Sequence, residues 1–157
     1  MDERSAHGLR KSPFIQLTDA EIEFLKQEIE AIHADERVFR FNRGSRTSYV
    51  DDLDIIYVRA NVFPDEASTH PRDLMSPRAV LAHEYYGHRT NKGTRLPEGS
   101  WKDEFRASYN AARYAPNLSI QDRMYLVLDA VERAKEAGVT IKFNRFMRSV
   151  LYGYDQT

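Results

Sequence analysis

The feature that most constrains this chain is the run His83-Glu84-Tyr85-Tyr86-Gly87-His88, in which two imidazoles stand five residues apart and a carboxylate follows the first. Imidazoles that share a metal ion from one helix usually stand four apart, with the Glu beside the first reaching the ion's water. Five residues of regular α-helix turn the chain by about 500°, so the second ring would point roughly 140° away from the first. A single turn with i→i+5 hydrogen bonds absorbs the additional residue and returns both rings to one side. If both histidines are to act together, the spacing demands such a π-type turn, and Gly87 is expected to ease the distortion.

The surrounding residues place this run on a helix. Ser76-Pro77 is a good start, with Ser as N-cap and Pro at the first helical position, and Ala79, Val80, Leu81 and Ala82 supply a buried approach. Catalytic zinc commonly takes three protein ligands and keeps a fourth position for water, so a third donor must come from elsewhere. Glu104, sixteen positions after His88, is the chosen candidate. It lies near the start of a predicted helix over 101–114, entered from Pro97-Glu98-Gly99-Ser100, N-capped by Ser100 and closed before Pro116. An antiparallel neighbour could present Glu104 to the histidines. Glu98, Asp103 and His70 are the competing donors, and Asp103 could instead orient a ligand imidazole.

These residues resemble two motifs of the dipeptidyl-peptidase III family. His83-Glu84-Tyr85-Tyr86-Gly87-His88 is similar to its His-Glu-x-x-Gly-His, which carries the same additional residue, and Asp103-Glu104-Phe105-Arg106-Ala107-Ser108 is similar to its Glu-Glu-x-Arg-Ala-Glu. The resemblance implies His83, His88 and Glu104 as zinc ligands and Glu84 as general base. It covers about twelve motif positions and implies a shared site geometry of the gluzincin kind. Ser108 stands where the family has its final carboxylate, the two motifs lie closer together here, and the chain is too short for the family's two-lobed architecture.

A chain of 157 residues with 41% hydrophobic content suits one domain over 1–157, with 1–13 expected to be flexible. The 23 Lys plus Arg nearly balance 24 Asp plus Glu, so no global attraction for nucleic acid or an anionic membrane is expected. Without cysteine, disulfides, thiolate metal sites and thiol catalysis are excluded, so a metal must use His and carboxylate. No apolar run is long enough to span a bilayer. The expected setting is a soluble chain, either cytoplasmic or delivered as part of an exported bacterial or phage protein.

The expected fold is α+β and zincin-like. Thr18-Asp19-Ala20-Glu21 is a capping box for a helix over 18–34, and strands over 38–42, 47–50 and 53–60 form a small β-meander before the metal helix. Supporting helices follow over 119–137 and 143–151. His33 reads as a boundary residue and Asp51-Asp52-Leu53-Asp54 as a solvated turn rather than a calcium loop. The polar segment 68–73 could line the cleft.

The expected activity is zinc-dependent hydrolysis of a peptide or protein substrate, with Glu84 as base and Tyr109 as donor to the oxyanion; Tyr85, Tyr86 and His70 compete for the second role. The alternatives are a zinc hydrolase acting on a non-peptide amide, and a non-catalytic phage- or toxin-related interaction module. A toxin domain would also have a cognate inhibitor or immunity protein as partner.

Overall fold

Thr18 closes the start of the first helix, α1 (Asp19–Ala31), through the predicted reciprocal pair. Its Oγ1 accepts from the Glu21 N–H at 3.1 Å, and Glu21 Oε1 accepts from the Thr18 N–H at 2.8 Å. The structure, a computed structural model, describes residues 10–64, 70–94 and 96–153. After α1 come β1 (Phe39–Phe41), β2 (Ser48–Val50) and β3 (Ile55–Val58), then α2 (Pro71–Leu74), α3 (Pro77–Ala82), α4 (Trp101–Tyr114), α5 (Ile120–Glu136) and α6 (Arg145–Tyr152). The fold is thus α+β, with a small sheet and a larger share of helix. Beyond Ala82 the α3 backbone continues into a π-helical segment, His83–His88, and a 3-10 turn, Arg89–Asn91.

The three strands do not form the expected meander. Their order is β1-β3-β2, with β3 parallel to β1 and antiparallel to β2. Two local features direct this. Asn42, at φ 58°, turns the chain out of β1 while its side chain pairs with the Leu17 N–H and C=O at 2.7 and 3.1 Å. Gly44, at φ 73°, then lies against β3, where an added Cβ would come within 2.6 Å of the Tyr57 ring. The connection from β1 to β2 therefore crosses β3 and leaves each of its partners on an edge.

Phe39, Tyr49, Ile56 and Val58 contribute the buried side of the sheet, and Leu25, Ile29 and Ile32 pack there from α1 and its end. Ala79 to Ala82 of α3, Ala111 and Ala112 of α4, Leu126 and Val127 of α5 and Met147 of α6 complete the core. Small residues allow close packing of α4: Ala107, Ser108, Ala111 and Ala112 are all buried. Ser76 caps α3 by accepting from the Ala79 N–H at 3.1 Å, and its hydroxyl donates to Asp122 at 2.7 Å, tying α3 to the first turn of α5.

Of the segment 1–13 expected to be flexible, residues 1–9 lie outside the described residues, and residues 10–13 are described. Arg10 is buried and its guanidinium donates to the carbonyls of Asn61 (2.7 Å), Val62, Arg72 (3.2 Å), Asp73 (3.4 Å) and Met75 (3.1 Å). Lys11 bonds the Phe63 carbonyl through its backbone and Glu21 through its side chain. Among the described residues, no helix is long and apolar enough to cross a membrane.

Gly87 sits where the motif segment crosses α4: an added Cβ would lie 2.7 Å from both the Cα and the carbonyl carbon of Ala107. Backbone cannot swing aside as a side-chain tip can, and overpacking of this kind costs about 1–3 kcal/mol or more. Gly87→Ala is therefore expected to lower the urea unfolding free energy by about 2 kcal/mol or more. An unchanged midpoint would contradict this close approach.

Candidate metal centre

The predicted π-type turn is present. The Arg89 N–H bonds to the Glu84 carbonyl five residues back, and Asn91 Nδ2 donates to the Gly87 carbonyl at 2.6 Å. With the additional residue absorbed, the rings of His83 and His88 lie 4.8 Å apart between centroids, inclined at 80°. Gly87 lies inside this π segment and has a further part there. Its φ is not positive, and what it provides is room for the α4 backbone.

α4 crosses this segment antiparallel. His83 meets Ser108 and Glu104, Gly87 meets Ala107, and His88 meets Asp103 and Glu104. Ser100 caps α4 by accepting from the Asp103 N–H at 3.3 Å, placing Asp103 and Glu104 in a first turn that favours negative charge. Glu104 Oε1 lies 3.0 Å from His83 Nε2, and Glu104 Oε2 lies 3.2 Å from His88 Nε2. These residues each offer a ligand atom, all within 4.8 Å of one another, and the group could hold a metal ion. The donor set fits: two imidazoles and one carboxylate converge at a buried position, as nitrogen- and oxygen-binding divalent ions require.

Charge at the cluster is balanced locally. Burial works against ionisation of Glu104, yet the hydrogen bonds and charges of His83 and His88 hold its carboxyl well below the usual range. Burial likewise opposes charge on His88, but hydrogen bonds to Asp103 and Glu104 and the charges of Glu84 and Glu104 push its imidazole up to about 10. Asp103 Oδ1 stands 3.6 Å from His88 Nδ1, while its Oδ2 accepts from the Gly99 N–H at 3.2 Å. Asp103 thus occupies the orienting place beside the ring.

On the other side of His83 lies a connection that motif reading misses. His83 Nδ1 is 2.8 Å from Ser108 Oγ, which is 2.6 Å from Asp129 Oδ2 on α5. Asp129 is completely buried and is held by Arg72 Nε at 3.3 Å and Arg133 Nε at 3.2 Å. Arg133 Nη2 also lies 3.6 Å from Glu104 Oε1, and Arg72 reaches Glu136 at 3.0 Å. Asp129 and Arg133 do leave a trace in the sequence: they stand four residues apart on α5, in line with its buried Leu126, Ala130 and Ala134.

A cavity of about 310 Å³ opens on the cluster, lined on one side by residues 46–49 of β2 and its approach and elsewhere by His83, Glu84, His88, Glu98, Glu104 and Arg133. Glu84 is buried, and its Oε1 accepts from the Tyr49 N–H at 3.0 Å. Of the competing donors, Glu98 and Asp103 line this cavity and His70 does not.

Tyr109, the expected oxyanion donor, is not brought to the cluster. It points along α4 toward α6, where its hydroxyl accepts from Asn144 at 2.8 Å and Arg113 at 3.2 Å and its ring meets Phe105 and Phe146. Tyr85 and Tyr86 are also engaged elsewhere, at the Asp35 N–H and the Ile32 carbonyl. From the segment 68–73, Arg72 reaches the cavity; residues 68 and 69 lie outside the described residues. Asp54 is paired with Arg89 at 3.0 Å and Lys92 at 3.5 Å, fastening the end of the motif segment.

His70, Glu132 and Glu136 form a second group with ligand atoms in reach of one another. Here His70 Nδ1 accepts from the Arg72 N–H at 3.2 Å, so a neutral ring carries its proton on Nε2, which faces Glu136 at 3.4 Å. His70 thereby caps α2, and none of the three residues lines the cavity that opens on the His83 cluster.

Burial opposes the charge of Asp129, but Arg133, Arg72 and His83 and the Ser108 hydroxyl bring its carboxyl down to about 2. An unfolded Asp titrates near about 3.9, so this group's contribution is whole above that pH and is lost as pH falls toward its folded value, about 2–3 kcal/mol in all. Urea midpoints are expected to hold from pH 7 to about 5 and to drop steeply below about 4. Asp129→Asn should cost about 3 kcal/mol at pH 7 and flatten that acid limb; an unaltered midpoint would remove Asp129 from the network.

Comparison of the chain with protein-family models, with curated proteins and with solved structures gave no match.

Proposed function

We propose that this protein is a zinc-dependent hydrolase of peptide bonds with a zincin-like site of the gluzincin kind. His83, His88 and Glu104 are its ligands and Glu84 its general base. The observation that carries the reading is the π turn, which sets both imidazoles against Glu104 and leaves Glu84 in the same cavity. Zinc suits this set because it accepts imidazole and carboxylate together at low coordination number. When bound, it would lower the pKa of a water molecule and polarise the substrate carbonyl.

The chain's own groups supply the rest. The Tyr49 N–H holds one oxygen of Glu84, fixing the carboxylate so that the other can take a proton from water and pass it to the leaving amine. Among the described residues β2 has a strand partner on one side only, and its residues line the cavity, so an extended peptide can lie beside that edge, where the Tyr49 and Thr47 N–H groups are already given to Glu84 and Asn61. Arg133 replaces Tyr109 as the group that opposes charge developing on the carbonyl oxygen, because its guanidinium lies beside Glu104 and on the cavity wall.

Elemental analysis of the purified protein is expected to find about one zinc per chain after reconstitution, lost in Glu104→Ala. Glu84→Gln should keep the metal and reduce cleavage of a peptide library by about 100-fold or more. Tyr109→Phe should leave both intact. Undiminished hydrolysis by Glu84→Gln would rule out Glu84 as base, and a wild type that takes up no zinc would end the metallopeptidase reading.

A further inference from the structure

Ser108 has one hydroxyl proton and two close polar neighbours. Its Oγ is 2.6 Å from Asp129 Oδ2, within the range of a charge-assisted O–H···O⁻ bond. Asp129 is ionised between Arg72 and Arg133 and can only accept. Without a proton between them, two oxygens at that distance would repel. The Ser108 proton is therefore on the Asp129 side, and the 2.8 Å contact from Ser108 Oγ to His83 Nδ1 must be an N–H donating to oxygen.

We propose that Ser108 and Asp129 act as a two-residue positioning device for His83: Asp129 on α5 draws the serine proton, Ser108 accepts from His83 Nδ1, and Nε2, which faces Glu104 Oε1 at 3.0 Å, is held on the cluster side as the nitrogen that takes the metal in place of that contact. The device places a carboxylate behind the first ligand by way of an intervening hydroxyl, although the carboxylate belongs to a different helix from Glu104. It also orders the two histidines differently. His88 is backed by Asp103 from α4, whereas His83 is backed from α5 through Ser108. The proposal rests on the metal-site reading above, since Nε2 matters only if it takes a ligand.

The test measures zinc affinity by chelator competition, with thermal unfolding of metal-free and zinc-loaded protein alongside. Loss of an orienting partner commonly costs about 10–100-fold in metal affinity. Ser108→Ala is expected to weaken zinc binding within that range and to shrink the zinc-induced rise in melting temperature. A purely structural serine would lower both melting temperatures equally and leave the zinc-induced shift unchanged, and that result would overturn the proposal.

Long-range nitrogen–proton NMR of His83 gives a second decision. A hydrogen-bonded proton on Nδ1, absent or rapidly exchanging in Ser108→Ala, is expected; a proton on Nε2 with Nδ1 bare would overturn the device. Wild type that binds no zinc would instead overturn the metal reading, and the same spectrum on metal-free protein would still decide for or against the hydrogen-bond direction.

Discussion

The contact on which the rest of the site depends is the backbone approach of Gly87 to Ala107. Two helical segments can come this close only where one presents no side chain and the other presents a methyl. Once that point of contact is set, the antiparallel crossing fixes everything on either side of it. His88 falls opposite the first turn of α4, where Asp103 and Glu104 lie, and His83 falls further along, opposite Ser108. The π turn and the helix crossing are thus complementary: one turns both imidazoles to the same side, the other brings a carboxylate to meet them.

A second layer of charge stabilises this crossing from behind. Asp129, Arg72 and Arg133 join α2, α4 and α5 below the cluster, with Arg133 reaching both Asp129 and Glu104. Buried ions are tolerated only when each has a partner. Here Asp129 and Glu104 each have a cation in reach, and Arg133 is shared between them, so a disturbance at α5 is felt at the cluster.

Much of this was legible in the residues. The capping signals of Thr18, Ser76, Ser100 and Ser119 mark real helix starts, because a side-chain oxygen at an N-cap acts over three residues and needs no tertiary knowledge. The five-residue histidine spacing foretold the π turn for the same local reason. What could not be read was long-range. Strand order depends on Gly44 crossing Tyr57, and Tyr109 reads as a candidate donor although α6 captures its hydroxyl through Asn144. Asp129 lies 21 residues beyond Ser108 and meets it only because α4 and α5 pack together.

The guanidinium of Arg10 ties the carbonyls of Asn61 and Val62 to those of Arg72, Asp73 and Met75, on the approach to the motif helix. The charged composition of the first dozen residues invites anyone preparing a shortened version to trim at Pro13. Such a truncation would remove the buried Arg10, strip five buried backbone acceptors of their common donor and loosen the ground from which α2 delivers Arg72. In this protein, a residue that looks dispensable by hydropathy is part of the foundation of the histidine–carboxylate cluster.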